Sequence, residues 1–279
     1  MSSPSSTTYT IKKVSNSVAI DAEDSLATEE PLEIRLVYGH GGQRNTKNIS
    51  VTMRTPGHDR ELATGFLFTE EVISGREQIK GFPEAKGAFS ENIVVVELNE
   101  DVVFDVGKLE RHFYTSSSCG VCGKASIEAV RTVAEGEDYP FDGITLPFRS
   151  FYQLPELLNS QQEVFRSTGG LHASALFDLD NNLLALREDV GRHNALDKLI
   201  GAALLEGKVP LDKHILLLSG RASFELIQKA AAAGIKIVAA VGAPSSLAVQ
   251  LANEFNITLI GFLRNERYNI YSGMHRVIV

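Results

Sequence analysis

The chain predicts an α/β protein (α+β overall), with a larger C-terminal unit on a mostly parallel sheet and a smaller N-terminal α+β unit. Three observations carry that expectation. From residue 172 to 263, short apolar runs alternate with amphipathic stretches, as in strands joined by covering helices. Between residues 31 and 98, apolar residues recur at every second position in runs parted by glycine-bearing turns. Between the two regions, EGEDYPFDGITLPF interrupts regular structure with Gly136, Pro140, Gly143 and Pro147. The expected division is a disordered tail over 1–20, an N-terminal α+β unit over 21–115, a loop, helix and connection over 116–150, and the second unit over 151–279.

Taken in order, the Ser/Thr-rich start offers little to bury and predicts a frayed tail. The acidic residues Asp21, Glu23, Asp24, Glu29 and Glu30 are expected to stay solvated. PLEIRLVYGH alternates Leu32, Ile34, Leu36 and Tyr38 against Glu33, Arg35 and Val37, a half-buried strand. Ile49 to Met53 repeats the period and completes a hairpin. A helix opens at Asp59 with Leu62, Phe66, Phe68 and Val72 on its apolar side, and Gly65 within it marks close packing or a weak point. NIVVVELNE is a strand, and residues 110–114 another.

After the connection, residues 151–165 predict a helix. LHASALFDLDNNLLALRED is a hairpin. HNALDKLIGAALLEG, RASFELIQKAAAAG and SSLAVQLANEFN are helices, the second stopped by Gly234 and the third capped by serine. HILLLSG, IKIVAAVGAP and ITLIGFL are buried strands.

The composition is that of an ordinary globular protein, 43% hydrophobic and 22% charged over 279 residues. A formal charge of −8 disfavours nucleic acid or an anionic membrane as an overall partner. No apolar run approaches a membrane span, and the start lacks signal-peptide order. Two cysteines three residues apart fit a reducing compartment, so the cytoplasm is expected.

Those cysteines, Cys119 and Cys122, sit in TSSSCGVCGKASIEAV, a Ser/Gly-flanked loop running into a helical pattern. Free N–H groups at a helix start and the nearby Lys124 favour thiolate over thiol. The pattern predicts a reactive thiol on a mobile arm. Half of a zinc clip shared between subunits and a thioredoxin-type dithiol remain open beside it.

In sheets of this kind ligands bind beyond the carboxyl ends of the strands. There the sequence places Asp189, Gly191, Arg192 and His193; then Ser219, Gly220, Arg221 and Ser223; then Gly242 to Ser246; and last residues 262–267. Small residues, helix starts and arginines suit phosphate, so an anion or nucleotide pocket is expected. His172 either faces the same pocket or is a satisfied core histidine. No dinucleotide fingerprint or Walker-type loop is present.

Together SSSCGVCGK, STGGLHASAL, EDVGRHNALDK, SGRASFELIQKA and GFLRNERYNIYS resemble the FdhD/NarQ family, from about Pro31 to the C-terminus. The resemblance implies a cytoplasmic, homodimeric accessory sulfurtransferase required by formate dehydrogenase. It implies a cytidine-deaminase-like three-layer α/β/α C-terminal domain. Sulfur would come from a cysteine desulfurase, ride as a persulfide on Cys119 with Cys122 auxiliary, and pass to molybdenum. The acceptor would be the bis(molybdopterin guanine dinucleotide) cofactor, its guanine nucleotide held by Phe262, Leu263, Arg264, Asn265, Glu266 and Arg267. Arg221 is expected to join them, and a GDP-like nucleotide would fill the same pocket. The family usually has glycine within that last stretch, where this chain has Asn265 and Glu266.

Two other functions compete. A dithiol oxidoreductase would need both cysteines, and a cofactor-binding chaperone would need neither. A zinc nucleobase deaminase is disfavoured, because Gly220, Arg221, Ala222 and Ser223 stand where its metal-binding cysteines would be.

Overall fold

The computed structural model describes residues 4–40, 42–102 and 142–278. Cys119 and Cys122, the strand expected at 110–114 and the helix expected after the cysteines lie outside the described residues.

The chain begins with β1 (Ser6–Ser15) and β2 (Val18–Ala27), paired antiparallel along their whole length. The segment expected as a tail up to residue 20 is therefore half of a ribbon. Its alternation, Tyr9, Ile11 against Thr10, Lys12, is diluted by serine and threonine and reads as polar chain. Next come β3 (Glu30–Tyr38), β4 (Asn45–Arg54), helix α1 (Asp59–Thr69), β5 (Ile79–Gly81) and β6 (Ile93–Leu98). The strands form a four-stranded sheet in the order β4-β3-β6-β5. Leu32, Ile34 and Leu36 alternate into its core as expected. A bulge opposite Ile34 and Arg35 leaves Ile49 as the extra residue of β4, so Ile49 is buried while Val51 and Met53 face outward. Buried Arg54 holds this unit together, gripping Asp59 through two bonds of 2.9 and 3.0 Å and reaching Asn92 at 3.0 Å.

The second unit starts with the short β7 (Leu146–Pro147). Two helices, α2 (Leu154–Gln161) and α3 (Glu163–Thr168), replace the single one expected over 151–165. Then follow β8 (His172–Phe177), β9 (Leu183–Asp189), α4 (Arg192–Leu205), β10 (Ile215–Leu218), α5 (Phe224–Ala232), β11 (Ile237–Ala240), α6 (Ser246–Glu254), β12 (Thr258–Arg264), β13 (Arg267–Ser272) and β14 (Val277–Ile278). The main sheet has six strands in the order β13-β12-β11-β10-β8-β9. β10, β11 and β12 are parallel, while β8 and β13 run against their neighbours. The sheet is thus mixed, because tight hairpins, β8–β9 and β12–β13, supply its two flanks.

Leu216 and Leu218 pack with α4, α5 and α6 on one face, and Ile215 and Leu217 pack with Phe151, Leu154 and Leu158 on the other. Three layers result. Ser245 caps α6, its Oγ accepting the Ala248 N–H at 3.2 Å.

The two units meet where α1 crosses α4. A methyl on Gly65 would collide with the Asp197 carbonyl, and one on Gly201 with the Glu61 carbonyl. Close packing is therefore the reason for Gly65. Arg187 on β9 adds a bond of 2.9 Å to Glu61 on α1. Burial opposes the charge on Glu61, but hydrogen bonds from His58 and Arg187 outweigh it and bring its pKa down to about 2.

Replacing Gly201 with alanine forces the helices apart. The expected cost is about 3 kcal/mol, read as a lowered midpoint in urea or heat; an unchanged midpoint would show that the crossing relaxes freely.

Candidate functional site

The carboxyl ends of β9, β10, β11 and β12 come to one edge of the main sheet, and His172 at the start of β8 joins them opposite Asp189. The loops leaving these ends are close enough to exclude side chains. A Cβ on Gly242 would lie 2.9 Å from the Gly220 carbonyl, and one on Gly220 would lie 3.2 Å from His172 Nδ1. The Gly242 N–H donates to the Gly220 carbonyl at 3.0 Å, and the Phe262 N–H donates to the Gly242 carbonyl at 3.1 Å. His172, Gly220, Gly242 and Phe262 thus form a continuous line along the edge.

Around that line stand the polar groups. Arg192 and His193 open α4, and Ser223 precedes α5. His193 Nε2 lies 3.4 Å from Ser223 Oγ and 3.8 Å from Glu225 Oε2. The nearby His193 imidazole pulls Glu225 down to about 2, with burial opposing. Burial, then the charges of Arg192 and His193, hold His172 below the usual imidazole range. His172 is exposed at the edge and is not a core histidine.

The expected site residues divide. Arg221, Phe262, Arg264, Asn265, Glu266 and Arg267 are exposed around the edge, whereas Leu263 is fully buried in the core beneath it and can offer a ligand only its backbone. Arg264 pairs with Arg267, so Asn265 and Glu266 form a two-residue hairpin turn with φ of 51° and 55°. Both central residues of such a turn need positive φ, which glycine adopts without cost. Phe262 also has positive φ, 56°, at an irregularity between Gly261 and Arg264. A bulky side chain in that conformation is uncommon, and Phe89 at φ 62° shares it.

Asp189 is not free to meet a ligand at the edge. It is fully buried, and its carboxylate accepts the N–H groups of Thr55 at 3.1 Å and Gly191 at 2.8 Å and pairs with Lys198 at 2.7 Å. Lys198 also donates to the Thr55 carbonyl at 2.8 Å. This cluster fixes the loop that presents Arg192 and His193. Lys198 and Glu225 escaped the sequence reading. The signal for Lys198 was a charged pair, Asp197 and Lys198, inside an otherwise apolar helix; for Glu225 it was only an acid in a first turn, which ordinary helices share.

The FdhD/NarQ family model matches residues 27–278. A Streptomyces avermitilis protein named sulfur carrier protein FdhD is 49% identical over 259 residues, covering 91% of this chain and 89% of that one. The chain belongs to the FdhD/NarQ family. A Thermoplasma acidophilum relative of the same name is 42% identical, covering 98% of this chain and 94% of its own. A crystal structure from Desulfotalea psychrophila, assigned as a formate dehydrogenase accessory protein, superposes with a TM-score of 0.75 at 23% identity. It covers 99% of this chain and all of its own, and shares the fold. Among the described residues of this FdhD/NarQ chain, no helix is long and apolar enough to cross a membrane.

Glu266→Gly removes a side chain from a left-handed position. Stability should rise by about 1 kcal/mol, measured as a raised midpoint of denaturant unfolding; a fall would mean that the carboxylate makes a stabilising contact.

Proposed function

We propose that this chain is a sulfur carrier serving a formate dehydrogenase in the cytoplasm. The names of its relatives support that role, and the pair Cys119 and Cys122 supplies the chemistry. A Cys119 thiolate attacks the terminal sulfur of a persulfide on a cysteine desulfurase. The donor's S–S bond breaks, its cysteine leaves as thiolate, and a persulfide forms on Cys119. Cys122 is the auxiliary thiol. The acceptor is molybdenum in the bis(molybdopterin guanine dinucleotide) cofactor, held at the sheet edge while sulfur is handed over.

Phe262 carries the assignment of the acceptor site. A left-handed phenylalanine costs about 1–2 kcal/mol, and the strain turns its ring outward at the strand end beside the Gly242 loop. A flat apolar face next to arginines suits a purine ring with a phosphate tail. Arg221, Arg264 and Arg267 bear on the phosphates, and the His172 imidazole lies along the same edge.

GDP titrated calorimetrically should bind the wild-type chain, and Phe262→Leu should weaken it about tenfold or more, as loss of one base stack does. Equal affinity would remove Phe262 from the site. Incubation with a cysteine desulfurase and cysteine should add one sulfur atom to the intact mass of wild-type protein and of Cys122→Ser. Cys119→Ser should stay unmodified; an equal gain on that variant would overturn the assignment.

A further inference from the structure

His193 on α4 and Glu225 on α5 bridge two helix starts at the sheet edge, and the chemistry described so far uses neither. The two close partners of His193, Ser223 Oγ at 3.4 Å and Glu225 Oε2 at 3.8 Å, both lie at one ring nitrogen, Nε2. A hydroxyl and a carboxylate on the same nitrogen form no relay through the ring, which needs one partner on each side. Nδ1 is left open and makes no hydrogen bond among the described residues. Arg192, beside His193, and Arg221, two residues before Ser223, also make no hydrogen bond or ion pair among the described residues. Glu225 stays a carboxylate at any ordinary pH, because the imidazole beside it draws its pKa down to about 2.

We infer that His193 holds the terminal phosphate of the nucleotide as an imidazolium, so that binding takes a proton from solvent. The inference rests on the nucleotide reading of the sheet edge. A neutral imidazole has one N–H and one lone pair. With Nε2 turned to a carboxylate, the hydrogen belongs there, and Nδ1 would meet an arriving phosphate oxygen with its lone pair. Negative groups on both sides of one ring are satisfied together only when both nitrogens carry hydrogen. The proton comes from bulk water, and no bond to the ligand is made or broken. The position suits this role. β12, which carries Phe262, and β10, which leads to Gly220 and Arg221, are two strands apart, about 10 Å. That puts the gap between α4 and α5 within reach of a diphosphate tail whose base lies on Phe262. The other titratable groups at this corner are Arg192 on α4, His172 on β8 and Asp189 on β9, the last paired with Lys198 at 2.7 Å. Glu225 is a positioning residue, since it acts on the ligand only through the ring.

Calorimetric titration of the full chain with GDP, in buffers of high and of low ionisation enthalpy at about pH 7.5, counts the protons taken up. GDP is itself almost fully ionised there, its last phosphate proton leaving near about pH 6. Wild type should take up roughly half a proton or more per GDP. A ring that holds its proton more tightly in the complex favours binding at low pH, and that gain is lost as pH rises. Affinity should therefore fall between about pH 7 and about pH 8.5, by up to about tenfold per unit. His193→Gln should take up no proton, bind roughly tenfold more weakly at about pH 7, and approach wild type at the upper end. Glu225→Gln should lose about half of the uptake or more, because Nε2 then no longer holds the hydrogen. GDP binding without proton uptake, uptake that survives in His193→Gln, or a loss in that variant equal at every pH would overturn this inference alone. Absence of GDP binding by wild type would overturn the nucleotide reading with it.

Discussion

At the crossing of α1 and α4 two helices touch backbone to backbone, because Gly65 and Gly201 leave no side chain between them. That distance sets everything placed along α4. Asp197 then sits on the side of α1, where its carboxylate accepts the Thr69 hydroxyl at 2.9 Å. Lys198, one residue on and about 100° around the helix, reaches the opposite way, to Thr55 and Asp189. With α4 pinned on both sides, its first residues, Arg192 and His193, are delivered to the sheet edge. The N-terminal unit is accordingly part of the site's scaffold: Thr55 and Met53 hold the loop that opens α4, through bonds to Asp189 and Asn194.

The charges buried at this junction need a reason beyond stability. Removing an ion pair from water costs several kcal/mol per ion, and an apolar substitute of the same shape is often as stable. Lys229 is shared between Asp197 at 3.0 Å and Glu70 at 3.2 Å. Burial opposes its charge, but the two carboxylates outweigh burial and raise its pKa. With one ammonium between two acids, burial pushes Asp197 above the ordinary carboxylate range. An apolar patch would add no directional constraint to the way α1, α4 and α5 meet. Paired hydrogen bonds of fixed direction do, so these groups specify register.

The C-terminal alternation was legible because buried strands such as Ile215–Leu218 and Ile237–Ala240 are wholly apolar and the intervening helices are amphipathic. Strand direction was legible at the β8–β9 hairpin, whose turn shows in the sequence, but which of the two strands lies beside β10 was not, because an apolar run reads the same either way. β13, RYNIYS, is too polar to stand out from a loop. The ribbon over residues 6–27 was missed for the opposite reason to the core strands. It buries almost nothing against the other described residues, and burial is what makes a pattern conspicuous. At the site, the sequence located the edge and the 262–267 stretch. It could not separate Leu263, whose side chain points into the core, from its exposed neighbours, nor show that Asp189 is consumed by Lys198 and Thr55. Those facts depend on partners more than a hundred residues away and on one irregular step in β12.

The β12–β13 hairpin holds left-handed residues of two kinds. Asn265 and Glu266 are left-handed because a two-residue turn joining right-twisted strands demands it, and any chain reversing there would meet the same demand. Glycine would relieve that strain without moving the flanking arginines. Phe262 is different. Its carbonyl and amide lie in a strand that could have run straight, with Gly261 already buried against Pro244 and Tyr271. A straight strand would exchange the faces that positions 262 and 263 take. The irregular step lets two consecutive large apolar residues serve opposite ends, Leu263 inside and Phe262 at the edge. The left-handed step at Phe262 is therefore what leaves its ring exposed at the edge while Leu263 stays buried.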